Sequence, residues 1–297
     1  MPLVSPRPAP ALAAAAALAC LGACGGEPAE RTRVFGGDRP VTLDLPASLD
    51  EDAAYPLVLV LHGYSITGHI QQAYLGLRNL TDTGRAFLVA PTGNMNSQGK
   101  PYWNADEACC DYDHAAPDDV GYLAALIDDI ADVWPIDRAS VVAVGQGNGG
   151  NMAYRLACDR ADLLAGIVVV AGAAGIDPAA CAPSRPVSVL HVHGTADPEF
   201  AYTGGGPFQQ APEAPGAVES VTRWAGHDGC TAARTADPPL DLDVAIDGAE
   251  THPERFGCPP PTAVELWTME GSDHLPNMVE TFAPAIWPWI EARLPAR

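Results

Sequence analysis

Three short stretches carry residue types suited to acyl transfer, and they occur in an order that suits it. The first runs Val141-Val142-Ala143-Val144-Gly145-Gln146-Gly147-Asn148-Gly149-Gly150. An aliphatic run, a tight glycine turn and a helix start spell the nucleophile elbow G-x-S-x-G, with glycine at its centre instead of serine. The turn is so sharp that side chains at Gly145 and Gly149 would collide with the neighbouring strand and helix. Its central residue takes a strained backbone conformation that costs a non-glycine residue about 1 to 3 kcal/mol, and glycine adopts it freely. Gly147 therefore suits the turn and lacks the hydroxyl: it marks a nucleophile position without its nucleophile.

The second stretch is Val187 to Val192 followed by His193-Gly194-Thr195-Ala196-Asp197, and the third is Gly271-Ser272-Asp273-His274. Asp197, on the loop after an aliphatic strand, is placed to orient a histidine, and His274 is the candidate general base held in its useful tautomer by that carboxylate. The backbone N–H groups of Asn148, just after the nucleophile position, and of Tyr64, after His62-Gly63, are the candidate oxyanion donors. Ser65, beside that loop, is the one nearby hydroxyl that could stand in for the lost one, and it is expected on the wrong side of His274.

Elements must bring these stretches together. Leu57 to Leu61, Phe87 to Ala90, Val141 to Val144, Gly166 to Val170, Val187 to Val192 and Val264 to Trp267 are aliphatic runs of strand length, as expected for strands buried on both faces. Arg33 to Phe35 and Val41 to Leu45 read as edge strands around the turn Gly36-Gly37-Asp38. Asp119 to Trp134 is an amphipathic helix capped by Asp118 or Asp119, and further helices begin near Asn148, Ala217 and Val279. Strands alternating with helices predict a mostly parallel central sheet with helices on both faces, and the glycine elbow followed in chain order by Asp197 and His274 makes the expected fold an α/β-hydrolase.

The bulk properties narrow the function. With 16 Lys+Arg against 37 Asp+Glu the net charge is −21, a field that repels nucleic acid. Residues 1–23 read as a signal peptide: Arg7, an Ala/Leu-rich run from Ala9 to Leu21, then small residues. Leu21-Gly22-Ala23-Cys24 resembles a bacterial lipobox, which predicts a lipid anchor on Cys24, with Cys20 a weaker competing site and unanchored secretion the alternative. Residues 24–30 then form a tether and 31–297 the hydrolase domain. The expected location is the bacterial cell surface or the periplasmic side of a membrane, with membrane contact only through the lipid.

Six cysteines remain after Cys24, an even set that points to disulfides in an exported chain. Cys230 and Cys258 bracket a proline-rich acidic insertion that a bridge would tie down. No cofactor or metal is expected. The cysteines lack paired CxxC spacing, and His191 and His193, two apart on one strand, read as packing and turn residues. Asp106, Glu107, Asp111 and Asp113, around Cys109-Cys110, read as a solvated acidic loop.

Between about Pro56 and Pro276 the chain resembles extracellular polyhydroxybutyrate depolymerases and feruloyl esterases, related to carbohydrate esterase family 1. The matching residues are Leu61-His62-Gly63, Tyr102-Trp103-Asn104 with Cys109-Cys110, Asp118-Asp119-Val120-Gly121, and Gly145-Gln146-Gly147-Asn148-Gly149-Gly150. Met152-Ala153-Tyr154-Arg155-Leu156-Ala157-Cys158, His193 to Asp197, Trp224 before Cys230, and Gly271 to His274 complete the set. The resemblance implies an ester of a hydroxy acid, or of a hydroxycinnamic acid on plant polysaccharide, as small-molecule or polymer substrate, with Tyr102 and Trp103 in the cleft. The chain departs from the family at Gly147, and again around the histidine, where it has Ser272, Asp273 and Leu275. Two readings follow: an esterase impaired by loss of the serine, or a non-catalytic surface protein that binds a polyester or polysaccharide in the former cleft.

Overall fold

Each aliphatic run folds as a strand because its alternate side chains find separate cores. Leu57, Leu59 and Leu61, with Val141, Ala143, Ile167 and Val169, enter one cluster. Val58 and Val60, with Val142, Val144, Val168 and Val170, enter the other. The structure, a computed structural model, describes residues 31–107, 109–205 and 214–295. The expected signal peptide, Cys24 and the tether lie outside the described residues, and Thr32–Arg297 forms one compact unit.

In chain order the elements are β1 (Val34–Phe35), β2 (Val41–Asp44), β3 (Tyr55–Leu61), α1 (Gly68–Tyr74), α2 (Arg78–Asp82), β4 (Phe87–Val89), β5 (Asn94–Met95) and β6 (Pro101–Tyr102). After these come α3 (Asp119–Val133), β7 (Ile136–Gln146), α4 (Asn148–Asp159), β8 (Gly166–Val170), β9 (Ser188–Gly194) and α5 (Ala217–His227). The described fold closes with β10 (Thr231–Ala236), β11 (Thr251–Gly257), β12 (Val264–Met269) and α6 (Phe282–Glu291). Ten strands form one sheet in the order β1-β2-β4-β3-β7-β8-β9-β12-β11-β10, and β5 and β6 form a small hairpin. Strands β4 through β12 in that order run parallel, and the outer strands pair antiparallel. Helices cover both faces: α3, α4 and α5 pack on one core, and α6 packs on the other through Phe282, Ile286 and Ile290.

The expected strands are all present, and the helix over Asp119 begins where Asp118 accepts from the amide of Gly121. The sequence reading misses β10 and β11. Strand β10 is exposed along its whole length and β11 contains Pro253, so neither shows an apolar run. The pair is the insertion itself, closed at its base by the Cys230–Cys258 disulfide. The other bridges are Cys109–Cys110 and Cys158–Cys181.

Candidate active site

The chain leaves β3 toward β4 on one side, whereas β7 lies on the other, which makes the β3–β7 boundary a topological switch point with its crevice at the strand C-termini. Pairing of Leu61 with Gly145 sets His62-Gly63-Tyr64 beside the glycine turn. A Cβ on Gly145 would stand 2.1 Å from the carbonyl oxygen of Gly149, and one on Gly149 would stand 2.1 Å from that of Leu61. Backbone occupies both spaces, so glycine is required there, as the sequence predicts.

Gly147 stands at the apex, with φ 53 and ψ −121, and its amide donates to Val170 O over 2.9 Å. A Cβ built there would lie 3.2 Å from Nε2 of His274, 3.4 Å from its Cε1 and 3.9 Å from Cε2 of Phe200. The missing side chain would thus point at the imidazole nitrogen that a nucleophile needs.

Parallel pairing of β9 with β12, Gly194 opposite Met269, brings the other two predicted residues together. Nδ1 of His274 donates to Oδ2 of Asp197 over 2.9 Å, which leaves Nε2 as the lone-pair nitrogen of the neutral ring. Asp197 is buried, and its Oδ1 accepts from the amides of Glu199 (2.8 Å) and Phe200 (2.9 Å). Burial opposes ionisation of Asp197, but hydrogen bonds and charge from His193 and His274 hold its carboxyl well below the usual carboxylate range. Burial also opposes the imidazolium of His274. The hydrogen bond and charge of Asp197, with Glu199 and Asp273 nearby, outweigh it and raise the pKa above the ordinary imidazole value.

Asn148 opens α4, where its amide has no intrahelical acceptor, and its side chain fastens the neighbouring loop. Nδ2 donates to the carbonyls of Trp103 (3.0 Å) and Cys109 (3.3 Å), while Oδ1 accepts from the amide of Trp103 over 2.7 Å. Tyr64 is half-buried, its hydroxyl accepting from Nδ2 of Asn96 over 2.9 Å. One expectation is corrected here. Trp103 is fully buried in the main core, its Nε1 donating to His62 O over 3.1 Å, so its indole offers no surface to a substrate. Tyr102 is buried as well, in a small cluster with Cys109, Cys110, Phe200 and Ala214. Both aromatic side chains support the loop from within. Nearby, Asp111 accepts from the amides of Ala115 and Ala116, and Asp113 from Ser97, so these two acids fold the loop.

Sequence reasoning misses the groups that hold the site. Nε2 of Gln146 donates to the carbonyl of His274 over 2.9 Å, Nε2 of Gln71 donates to Oε1 of Gln146 over 2.7 Å, and Oε1 of Gln71 accepts from the amide of Gly63 over 2.9 Å. One chain of amides thus links the Tyr64 loop, the elbow and the histidine loop. A second runs behind Asp197. His193 Nε2 donates to Phe200 O over 2.7 Å and lies 3.3 Å from Oδ2 of Asp197, so its Nδ1 accepts from Nε2 of His191 over 3.0 Å. Nδ1 of His191 then accepts from the hydroxyl of Tyr154 over 2.9 Å. Burial, reinforced by His193, holds His191 well below the ordinary imidazole value and so neutral. Glu199 is a further unpredicted neighbour, with its Oε2 3.5 Å from Nε2 of His274.

The sheet order and the tight glycine turn between β7 and α4 give the chain an α/β-hydrolase fold. Its backbone is similar to acetyl xylan esterase from Aspergillus awamori (TM-score 0.59, 13% identity, 85% of this chain and 94% of that one). It is also similar to the Bacillus cereus carboxylesterase (TM-score 0.53, 19% identity, 86% and 95%). In sequence it is 32% identical over 149 residues to NocK of Nocardia uniformis subsp. tsuyamanensis, an esterase by name, covering 50% of this chain and 42% of that protein. It is 27% identical over 206 residues to a feruloyl esterase C, by name, of Aspergillus niger, covering 67% of this chain and 66% of the other. Feruloyl esterase D of Neurospora crassa is 27% identical over 285 residues, 90% of this chain and 86% of that one. The match thus spans less than half of NocK and about two thirds of the Aspergillus relative. No family model matches the chain.

Proposed function

We propose that the chain is a carboxylic-ester hydrolase that has lost covalent catalysis and cleaves its substrate slowly, by direct attack of water held beside Gly147. The observation that carries this reading is the pointing of the absent Gly147 side chain at Nε2 of His274, which is itself held by Asp197. Neutral His274 takes a proton from the water as its oxygen attacks the ester carbonyl. The amides of Tyr64 and Asn148 receive the oxyanion. The tetrahedral intermediate then expels the alcohol, which takes the proton back from His274.

Loss of a triad serine elsewhere lowers turnover about a million-fold and leaves roughly a thousand- to ten-thousand-fold over water. The relatives named feruloyl esterase support a hydroxycinnamic ester as substrate. The pattern around Cys24 supports export and lipid anchoring, and the charge of −21 argues against a nucleic acid partner.

Hydrolysis of p-nitrophenyl acetate, a feruloyl ester and polyhydroxybutyrate tests the reading. The expected time course is slow, linear from the start and abolished by His274→Ala. Saturable ester binding with no turnover would instead make the chain a binding protein.

A further inference from the structure

Nε2 of His274, the atom left without a serine, faces a second carboxylate. Oε2 of Glu199 lies 3.5 Å from it, and the turn closed by Asp197, which accepts from the amides of Glu199 and Phe200, fixes the Glu199 backbone. The imidazole therefore sits between Asp197 at Nδ1 and Glu199 at Nε2. Phe200 stacks on it with ring centroids 5.8 Å apart, and Asp273, next in sequence, adds its charge.

In a serine esterase this arrangement would be harmful. A carboxylate at Nε2 competes with the serine hydroxyl for the one nitrogen that must accept its proton, and it stabilises the imidazolium, which accepts nothing. With Gly147 there is no hydroxyl to compete with. A separation of 3.5 Å exceeds a direct nitrogen–oxygen hydrogen bond. The Glu199 side chain is 40% exposed, free to turn outward and widen the gap.

We propose that Glu199 is the second half of a water-activating pair: Nε2 of His274 and a carboxylate oxygen of Glu199 each accept one hydrogen of a water beside Gly147. The water lone pair is thereby aimed at the ester carbonyl. This rests on the reading of the site as an ester hydrolase. The water oxygen bonds to the carbonyl carbon while the carbonyl π pair moves to oxygen, and His274 takes one water proton. When the intermediate collapses the acyl–oxygen bond breaks, and His274 returns that proton to the departing alkoxide. The other water proton stays on the new carboxylic acid, which passes it to Glu199 and solvent as it ionises. One ester and one water give one acid and one alcohol, with no bond to the protein.

The test compares Glu199→Gln in two backgrounds, using p-nitrophenyl acetate. In the wild-type chain kcat falls on the order of 100-fold, the low end of what a positioned proton acceptor contributes, with KM nearly unchanged. In a Gly147→Ser chain the same change leaves kcat equal or raises it, because the serine then has Nε2 to itself. A residue with a merely structural role would lower both. Unchanged or faster wild-type hydrolysis in Glu199→Gln overturns the inference while the hydrolase reading stands. Absence of His274-dependent hydrolysis in the wild type overturns both.

Discussion

The side-chain amide of Gln146 donates to the backbone carbonyl of His274 over 2.9 Å, so the residue before Gly147 holds the loop that carries the imidazole. Gln71 holds Gln146 in turn and accepts from the amide of Gly63. The geometry of the site is therefore set by two buried glutamines as much as by the groups aimed at the substrate.

Gln146→Ala leaves the His274 carbonyl and the Gln71 amide without partners in the interior, at about 1 to 3 kcal/mol for each. Thermal unfolding records that loss as a lower Tm. Displacement of the imidazole by about an ångström costs on the order of 100-fold in kcat, and a variant with wild-type kcat would mean that the histidine loop holds itself.

The pH dependence of hydrolysis follows from the raised pKa of His274. Only the neutral ring accepts a proton, so kcat/KM rises with pH and its midpoint lies above 6.5, the ordinary imidazole value. Asp197→Asn removes the main partner that raises the pKa and moves the midpoint down. A wild-type midpoint below 6.5 would contradict the electrostatics described.

His62 gives an opposite, structural pH effect. It is fully buried, Nδ1 donating to Gly63 O over 2.8 Å and Nε2 accepting from the amide of Gly93 over 2.9 Å. Burial pushes its pKa down to about 4 from 6.5. The unfolded chain takes up the proton first, so stability is full above pH 6.5 and declines as pH falls toward 4, by about 3 kcal/mol in all. Chemical denaturation at a series of pH values measures this, and His62→Gln flattens that part of the curve.

The Cys230–Cys258 bridge spans 28 residues, and closing a loop of that length stabilises by about 3 to 4 kcal/mol. Replacing both cysteines by alanine is expected to lower global stability by that order. Hydrogen exchange is expected to rise first in the exposed strand β10, while β3, β7 and β8 keep their protection.

The parallel sheet was legible in the sequence because its strands are buried on both faces and read as unbroken aliphatic runs. That Gly147, Asp197 and His274 would lie together was legible because each follows such a run. Strands β10 and β11 were not: β10 is exposed throughout and β11 buries only Thr251, Pro253 and Phe256, so neither shows an aliphatic run, and the pair takes its place from β12 and a disulfide. Gln71, Gln146 and Glu199 were invisible for another reason. Their roles come from contacts across 8, 75 and 128 residues of chain, and, for Glu199, from an imidazole on a different loop. Tyr102 and Trp103, which the resemblance implies in the cleft, are buried instead, because a shared motif does not say whether an aromatic ring faces substrate or core.

Labelling by a fluorophosphonate probe, applied side by side to the wild-type chain and to Gly147→Ser, tests the central claim most directly. The substitution places a hydroxyl within reach of Nε2 of His274 once the ring yields by a few tenths of an ångström, and it costs about 1 to 3 kcal/mol in backbone strain. The expected result is an unlabelled wild type and a labelled variant that shows an acyl-enzyme burst. Rapid, His274-dependent labelling of the wild type would mean that another residue is the nucleophile and would contradict the account.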